Sequence, residues 1–568
     1  MSKYMISLFL LVTTWTVHAQ SLRTQEAKPL ADVISARVKK VSSGKTRVPL
    51  ITWGGDVATI YAEQNGIFRR NGLDVTLSLE NHFPSQVARC LEGDTPYLRG
   101  TMGMINAAAE VFEKKGVDLV VIYQLTWSNG GDALVVRPNI KTPKRLKGKT
   151  IALQLYGPHM DYLLNILDTA GVPPNKVDLK WFSELTLPTF DTKGEILDPV
   201  NAFLEDKHID AAMCIIPDAL SLTSGGRGGS GAAGSVKGAK IMLSTKTASR
   251  VIADVYAVRS DYLEQNRGKV EAFVKSLMEG EEGLRDLMAN KASQRSRYQQ
   301  TVSRAADLLL GAPQAVPDVE GLLADCEFVG YDGNVAFFTG KGTRRTLATL
   351  TREIQSGFLQ VGLIHGKTKL ADAEWNYAAL AKNLKYANAV PKPKKKFDTQ
   401  KVVKKIEKRI SVEPNAWAED GTLFQVEINF QPNQSQFSES QYAEDFSKAL
   451  DISQTYGGSL IVVEGHSDPL GIARARQKGT PSVEIAQMEQ QAKNLSLERS
   501  RAVRRSFLKF ATARGIEVDG SQFIAVGLGV AAPKFNPPRT KQEWAANRRV
   551  VFRIKQVEAE LSEFVPLD

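Results

Sequence analysis

A chain of 568 residues is longer than a single hydrophobic core supports, so several compact units are expected. Hydrophobic residues at 43% and charged residues at 24% are globular values and exclude a largely disordered chain. The net charge of +11 suits an acidic partner, but much of the excess lies in 392–409 and 496–514 with no aromatic platform between the charges, so no nucleic-acid partner is read from it.

The chain opens with MSKYMISLFLLVTTWTVHAQ, one Lys before an apolar run and small residues after it. This is the pattern of a cleaved secretory signal over residues 1–19, and the run is too short to span a bilayer. The mature chain is therefore expected to be exported and soluble, with residues 20–44 an irregular lead-in. Cys90, Cys214 and Cys326 are odd in number and far apart, which excludes a disulfide framework and points to free buried thiols.

Between residues 45 and 388, short apolar runs alternate with amphipathic stretches: VPLITW, then VATIYAEQNGIF, LDVTLSL, DLVVIYQL, ALVVR, TIALQL and DAAMCII. Strands alternating with helices give an α/β fold on largely parallel sheets, and a block of this length suits two lobes. SGGRGGSGAAG at 224–234 and GKGT at 340–343 lack the spacing of a phosphate loop and read as surface loops. VPKPKKK at 390–396 marks a basic linker, taken as 389–415. Residues 416–560 then follow a βαβαββ order, an α+β sandwich with helices on one face. Within it, IVVEGHSDPLG at 461–471 carries Glu464, His466 and Asp468 at a strand end. Alternate strand residues project to one side, as a metal site needs, but no second His or Cys cluster supplies the missing ligands. No nucleophile pairs with them as a catalytic dyad would require, and His466 reads as a structural residue at the strand exit.

The 45–388 block resembles the periplasmic substrate-binding proteins of ABC transporters, in the nitrate, taurine and pyrimidine group. The resemblance is carried by GIFRRNGLDV (66–75), LEGD (91–94), GGDALVVR (130–137), LKGKTIALQ (146–154) and HIDAAM (208–213). It implies a two-lobed domain with crossovers near 137 and 252 and a small-molecule solute in a hinged cleft. Loops after strands and helix N-termini would line that cleft. The corresponding positions are Trp53, Gly55, Asp56, Thr101, Trp127, Asn129, Tyr156 and His159. Asp56 also reads as a helix cap and the glycines as turn formers. One branch of these relatives makes a pyrimidine with a cysteine-rich motif that three scattered cysteines do not reproduce, so no enzyme, catalytic residue or cofactor is assigned.

The last block resembles the OmpA-like peptidoglycan-binding domain through GHSD (465–468), LSLERSRAV (495–503), VGLGVAAPKFN (526–536) and NRRVVF (547–552). The resemblance implies that Asp468 and Arg499 grip the diaminopimelate side chain of the peptidoglycan stem peptide. The chemistry is that of a zwitterion clamp: a carboxylate for the ammonium and a forked guanidinium for the carboxylate. Ser496 is expected to cap the helix that carries Arg499, while Asn547 and Arg548 are further candidates for contact or for fixing the last strand. The chain departs from the family pattern at Ala492 and Trp544 and by an insert within ARARQKGTPSVEIAQMEQQAKN. Together the two resemblances imply a periplasmic, wall-anchored solute receptor beneath the outer membrane that serves an inner-membrane ABC permease or sensor. The alternative is an envelope scaffold or sensor whose first domain contacts proteins.

Overall fold

The computed structural model describes residues 21–186, 189–226, 228–387, 399–412, 422–429 and 442–555. The expected signal segment and the proline-lysine stretch at 390–396 lie outside these residues.

In the first lobe, β1 (Thr46–Leu50) runs parallel to β2 (Val75–Leu79), with Thr46 opposite Val75. The main sheet of this lobe contains β3 (Tyr97–Thr101) and β4 (Leu119–Ser128). The second lobe follows with β5 (Asp132–Val136), β6 (Thr150–Gln154), β7 (Asp178–Phe182), β8 (Ala211–Ile215) and β9 (Lys240–Ser244), ordered β7-β6-β8-β5-β9. β6 is parallel to β7 and β8, whereas β5 is antiparallel to both its neighbours. The chain then returns to the first lobe through β10 (Ala253–Arg259), which lies between β3 and β4, and β11 (Cys326–Phe328) completes the order β11-β4-β10-β3. The short β12 (Ala371–Asp372) adds to β4. β10 is antiparallel to β3 and β4, against the largely parallel pairing expected, and burial of all three along their whole length on both faces leaves β4 and β10 predominantly apolar.

The two crossings occupy 129–131 and 245–252. The first falls before the expected position near 137, because GGDALVVR is already the second lobe's first strand. A buried strand reads alike in either sheet, so its apolar pattern does not say which lobe owns it. The helix Asp56–Gln64 packs on the long helix Ser260–Ala289, where Gly280 admits Ala62. The three thiols are free, with Cys90 and Cys214 buried.

The C-terminal unit holds β13 (Thr422–Asn429), β14 (Leu460–Gly465), β15 (Phe523–Gly527) and β16 (Arg549–Lys555) in the order β13-β16-β14-β15. β16 is antiparallel to β13 and β14, while β14 and β15 are parallel. Helices Ala443–Thr455 and Ser482–Ala513 cover one face, where Phe446, Phe507 and Phe510 meet Phe523 and Phe552.

Two features differ from the sequence expectation. The stretch assigned to the linker contains a helix, Thr399–Val412, whose Val402 and Ile406 pack on Val462, Ile524 and Val526. Helices therefore cover both faces of this sheet. Valine and isoleucine four apart form an apolar stripe on a helix, here embedded among lysines. The insert after Asp468 forms the helix Leu470–Gln477 and the first turns of Ser482–Ala513, so the latter helix begins well before Leu495.

Candidate functional site

The C-terminal site is built at the tips of β14 and β15. Their last residues, Gly465 and Gly527, are register partners, and a side chain at Gly465 would overlap the Ser496 carbonyl. These glycines let the helix Ser482–Ala513 cross close over the strand ends. Ser496 is consequently mid-helix and caps no terminus; its Oγ donates to the Lys493 carbonyl and accepts the Gly529 N–H at 2.9 Å. The Ser467 N–H donates in turn to the Gly529 carbonyl at 2.8 Å, fixing the loop that carries Asp468.

Three of the expected residues converge there. Asp468 Oδ1 accepts the Leu470 N–H at 3.0 Å, and Arg548 Nη1 donates to Oδ2 at 3.3 Å. Arg499 is buried, and burial together with the nearby Arg548 guanidinium lowers its pKa. Arg548 is therefore bonded to Asp468 and near enough to Arg499 for their like charges to be felt. Its Nε has no hydrogen-bond partner among the described residues, nor do Nε and Nη1 of the neighbouring Arg549. The Asp468 carboxylate and the Arg548 guanidinium, with Arg499 near Arg548, supply the two kinds of charge that a ligand bearing both an ammonium and a carboxylate requires.

Asn547 serves the loop instead: its Oδ1 accepts the Lys534 and Phe535 N–H groups at 2.7 and 2.9 Å, and its Nδ2 donates to the Phe535 carbonyl. Glu464 is turned to Arg553, which grips it with Nε at 2.9 Å and Nη2 at 3.0 Å. Burial pushes the Glu464 carboxyl up, but His466 and Arg553 outweigh it and hold it down at about 2. His466 is buried with its Nε2 3.5 Å from Glu464, and burial keeps its imidazole below the usual value.

Most of the residues expected to line a cleft are engaged by other residues of the chain. Trp53 Nε1 donates to Thr126 Oγ1 at 3.0 Å, and its indole lies on Gly131. Thr126 Oγ1 donates to Asp254, and Arg99 joins Asp254 at 3.0 Å to Asp56 at 2.7 Å. Asp56 thus belongs to a buried ion triad; Gly55, packed against Thr126, is the N-cap of the helix Asp56–Gln64. Burial pushes up both carboxyls despite Arg99, that of Asp254 to about 6.

Thr101 caps the helix Met102–Glu113 by accepting the Met104 N–H. Trp127 is buried between the Phe337 ring and the Arg250 guanidinium. Asn129 sits in the first crossing and donates its N–H to the Asp325 carbonyl at 2.8 Å. His159 Nε2 lies 2.8 Å from Asp132, whose other oxygen accepts from Ser128. Tyr156, with φ of 55°, stands apart and donates its hydroxyl to the Lys28 carbonyl at 2.7 Å.

One residue of this region was not among those expected. Asp161, in the first turn of helix Met160–Thr169, lies against Gly103 of the opposite lobe so tightly that a side chain at Gly103 would overlap its Oδ1. Neither of its carboxylate oxygens has a hydrogen-bond partner among the described residues. Burial first, then Asp132 and Asp254 nearby, push its carboxyl up to about 7. An acidic residue in a first helical turn has an ordinary dipole role, so the sequence carries no signal for this one. Beside it, a cavity of about 530 Å3 between this helix and Leu347–Gln360 is lined by Asp161, Asn165, Asp168, Arg345 and Glu353, among others.

Residues 56–290 match the family described as NMT1/THI5 like. The N-terminal part, which contains the matched residues, has an α/β fold on two main sheets. Among solved structures, the chain is similar to the periplasmic aliphatic sulphonate binding protein SsuA from Escherichia coli, at 16% identity and a TM-score of 0.37, over 58% of this chain and 90% of that one. It is also similar to the periplasmic nitrate-binding protein NrtA from Synechocystis PCC 6803, at 12% identity and a TM-score of 0.40, over 62% and 92%. A third is the Candida albicans CA3427 gene product, at 14% identity and a TM-score of 0.37, over 58% and 97%. No curated protein matches the chain. Among the described residues, no helix is long and apolar enough to cross a membrane.

Proposed function

We propose that this chain is a non-enzymatic periplasmic receptor: a solute-binding-type domain held at the cell wall by its C-terminal unit. The observation that carries the reading is Asp468 paired with Arg548, with the buried Arg499 close behind. A carboxylate and forked guanidiniums at one strand tip match the ammonium and carboxylate at the free end of a diaminopimelate side chain. The fold of the N-terminal part supports a small-molecule solute as its ligand, and wall capture would keep that domain beside an inner-membrane permease or sensor.

The test is co-sedimentation of the full chain with purified peptidoglycan. The native protein pellets; Asp468→Ala and Arg499→Ala each reduce the pelleted fraction at least about tenfold, as loss of a charge-assisted contact implies. Pelleting of both variants at the native level would reject the clamp.

The second reading, an envelope scaffold or sensor whose N-terminal domain contacts proteins, draws on the commitment of Trp53, Asp56, Thr101 and His159 to bonds within the chain. Calorimetric titration of the full chain with sulfonates, nitrate and a metabolite library separates the two. Heat from one solute supports the receptor, and silence at millimolar concentration supports the scaffold.

A further inference from the structure

The end of helix Ala443–Thr455 and the turn after it lie along the return crossing between the lobes. The Arg250 N–H donates to the Thr455 carbonyl at 3.2 Å, and the Gly458 N–H to the Thr247 carbonyl at 3.1 Å. The two bonds are in antiparallel register, so the turn gives the crossing some of the partners that a neighbouring strand would. Gly458 approaches so closely that any side chain there would overlap the Lys246 carbonyl.

Contacts to both lobes flank this pairing. Tyr456, buried in the C-terminal core against Phe424, places its hydroxyl 3.0 Å from Asn165 Oδ1 on the second lobe's helix Met160–Thr169. On the other side, Arg344 belongs to the segment between helices Gly330–Thr339 and Leu347–Gln360; its Nε lies 2.8 Å from Asp451. The Glu517 N–H donates to the Gly342 carbonyl at 3.1 Å. Arg345, next in sequence, donates to the Arg250 carbonyl at 3.0 Å and so ties this segment back to the crossing.

The geometry points to the C-terminal unit as a clamp on the hinge. Two lobes of this kind open by torsion changes confined to a few residues of the crossings. With Thr247 and Arg250 both bonded to a rigid turn, and Asn165 and Arg344 held on either side, those torsions are fixed while the unit stays docked. Undocking frees the lobes to separate, and lobe opening in turn weakens docking, because coupling between two states is reciprocal. The inference is independent of what the Asp468 pocket binds.

The test is amide hydrogen exchange on the full chain, native and Gly458→Val. The clamp predicts that exchange accelerates about tenfold or more in the helix Met102–Glu113, at the interlobe contact with Asp161, which takes part in none of the bonds above. Acceleration confined to 246–250 and 455–458, with that helix unchanged, overturns it. Should Gly458→Val fail to fold, the pair Tyr456→Phe with Arg344→Ala removes a polar contact to each flank and leaves the aromatic ring in its core. It should accelerate exchange in the same helix about threefold, and an unchanged rate there overturns the inference equally.

Discussion

Two buried carboxyls respond to pH in opposite directions. Asp161 titrates at about 7 in the fold, well above an unfolded aspartate near 3.9. The folded state therefore binds more protons than the unfolded chain between these values, and stability falls as pH rises through the window. The shift sets a ceiling of about 4 kcal/mol, so Asp161→Asn is expected to raise stability at pH 8 by on the order of 1–2 kcal/mol and to give no gain at pH 4. Calorimetric melting at the two pH values checks this. Glu464, held at about 2 by His466 and Arg553, contributes stability above an unfolded glutamate value near 4.3 and loses it as pH falls towards 2. Arg553→Leu would leave that carboxylate buried without its guanidinium partner and is expected to cost about 3 kcal/mol or more at pH 7, with Glu464→Gln in the same chain restoring part of the loss. At this scale the resemblance singled out Asp468, Arg499 and Arg548, and of these the structure pairs Asp468 with Arg548. Asp161 was not legible in the sequence: its isolation comes from a glycine on the other lobe.

At the scale of elements, period-2 and continuous apolar runs announced the strands of both blocks, whereas one helix was hidden by its composition and another was read too short. Thr399–Val412 is rich in lysine and follows a proline-lysine run, so charge masks the stripe of Val402 and Ile406. That stripe covers Val462, Ile524 and Val526, which one-sided helices would leave facing water. Ile406→Ala should cost about 2–4 kcal/mol of the C-terminal unit's stability, whereas Lys404→Ala should change it by less than about 0.5 kcal/mol. Denaturant melts followed by exchange of the β15 amides distinguish the outcomes. The long helix Ser482–Ala513 was read too short for a different reason. Its first turns are largely exposed and lack an apolar period, so only the half that packs under the sheet showed itself as a helix.

At the scale of the molecule, the α/β alternation foretold two lobes, but how tightly they close depends on contacts that no local pattern encodes. One of these is Gly103 against Asp161, a glycine at the second position of one lobe's helix facing the first turn of the other's. Adding a side chain at Gly103 cannot be absorbed by a flexible chain end, because the obstructing group is a short carboxylate on a buried helix turn. The cheaper response is rotation about the crossings with the C-terminal unit undocked from them, since hinge torsions released from its bonds to Thr247 and Arg250 are softer than a packed core. Gly103→Val is therefore expected to separate the lobes and raise the radius of gyration of the full chain, measured by small-angle X-ray scattering, by on the order of 1 Å. Gly268→Ala, in the helix Ser260–Ala289 where a side chain meets open space, is the matched control and should leave the scattering unchanged. If Gly103→Val scatters as the native chain does while melting lower, the strain is taken up inside the lobes, and the crossings are stiffer than their length implies.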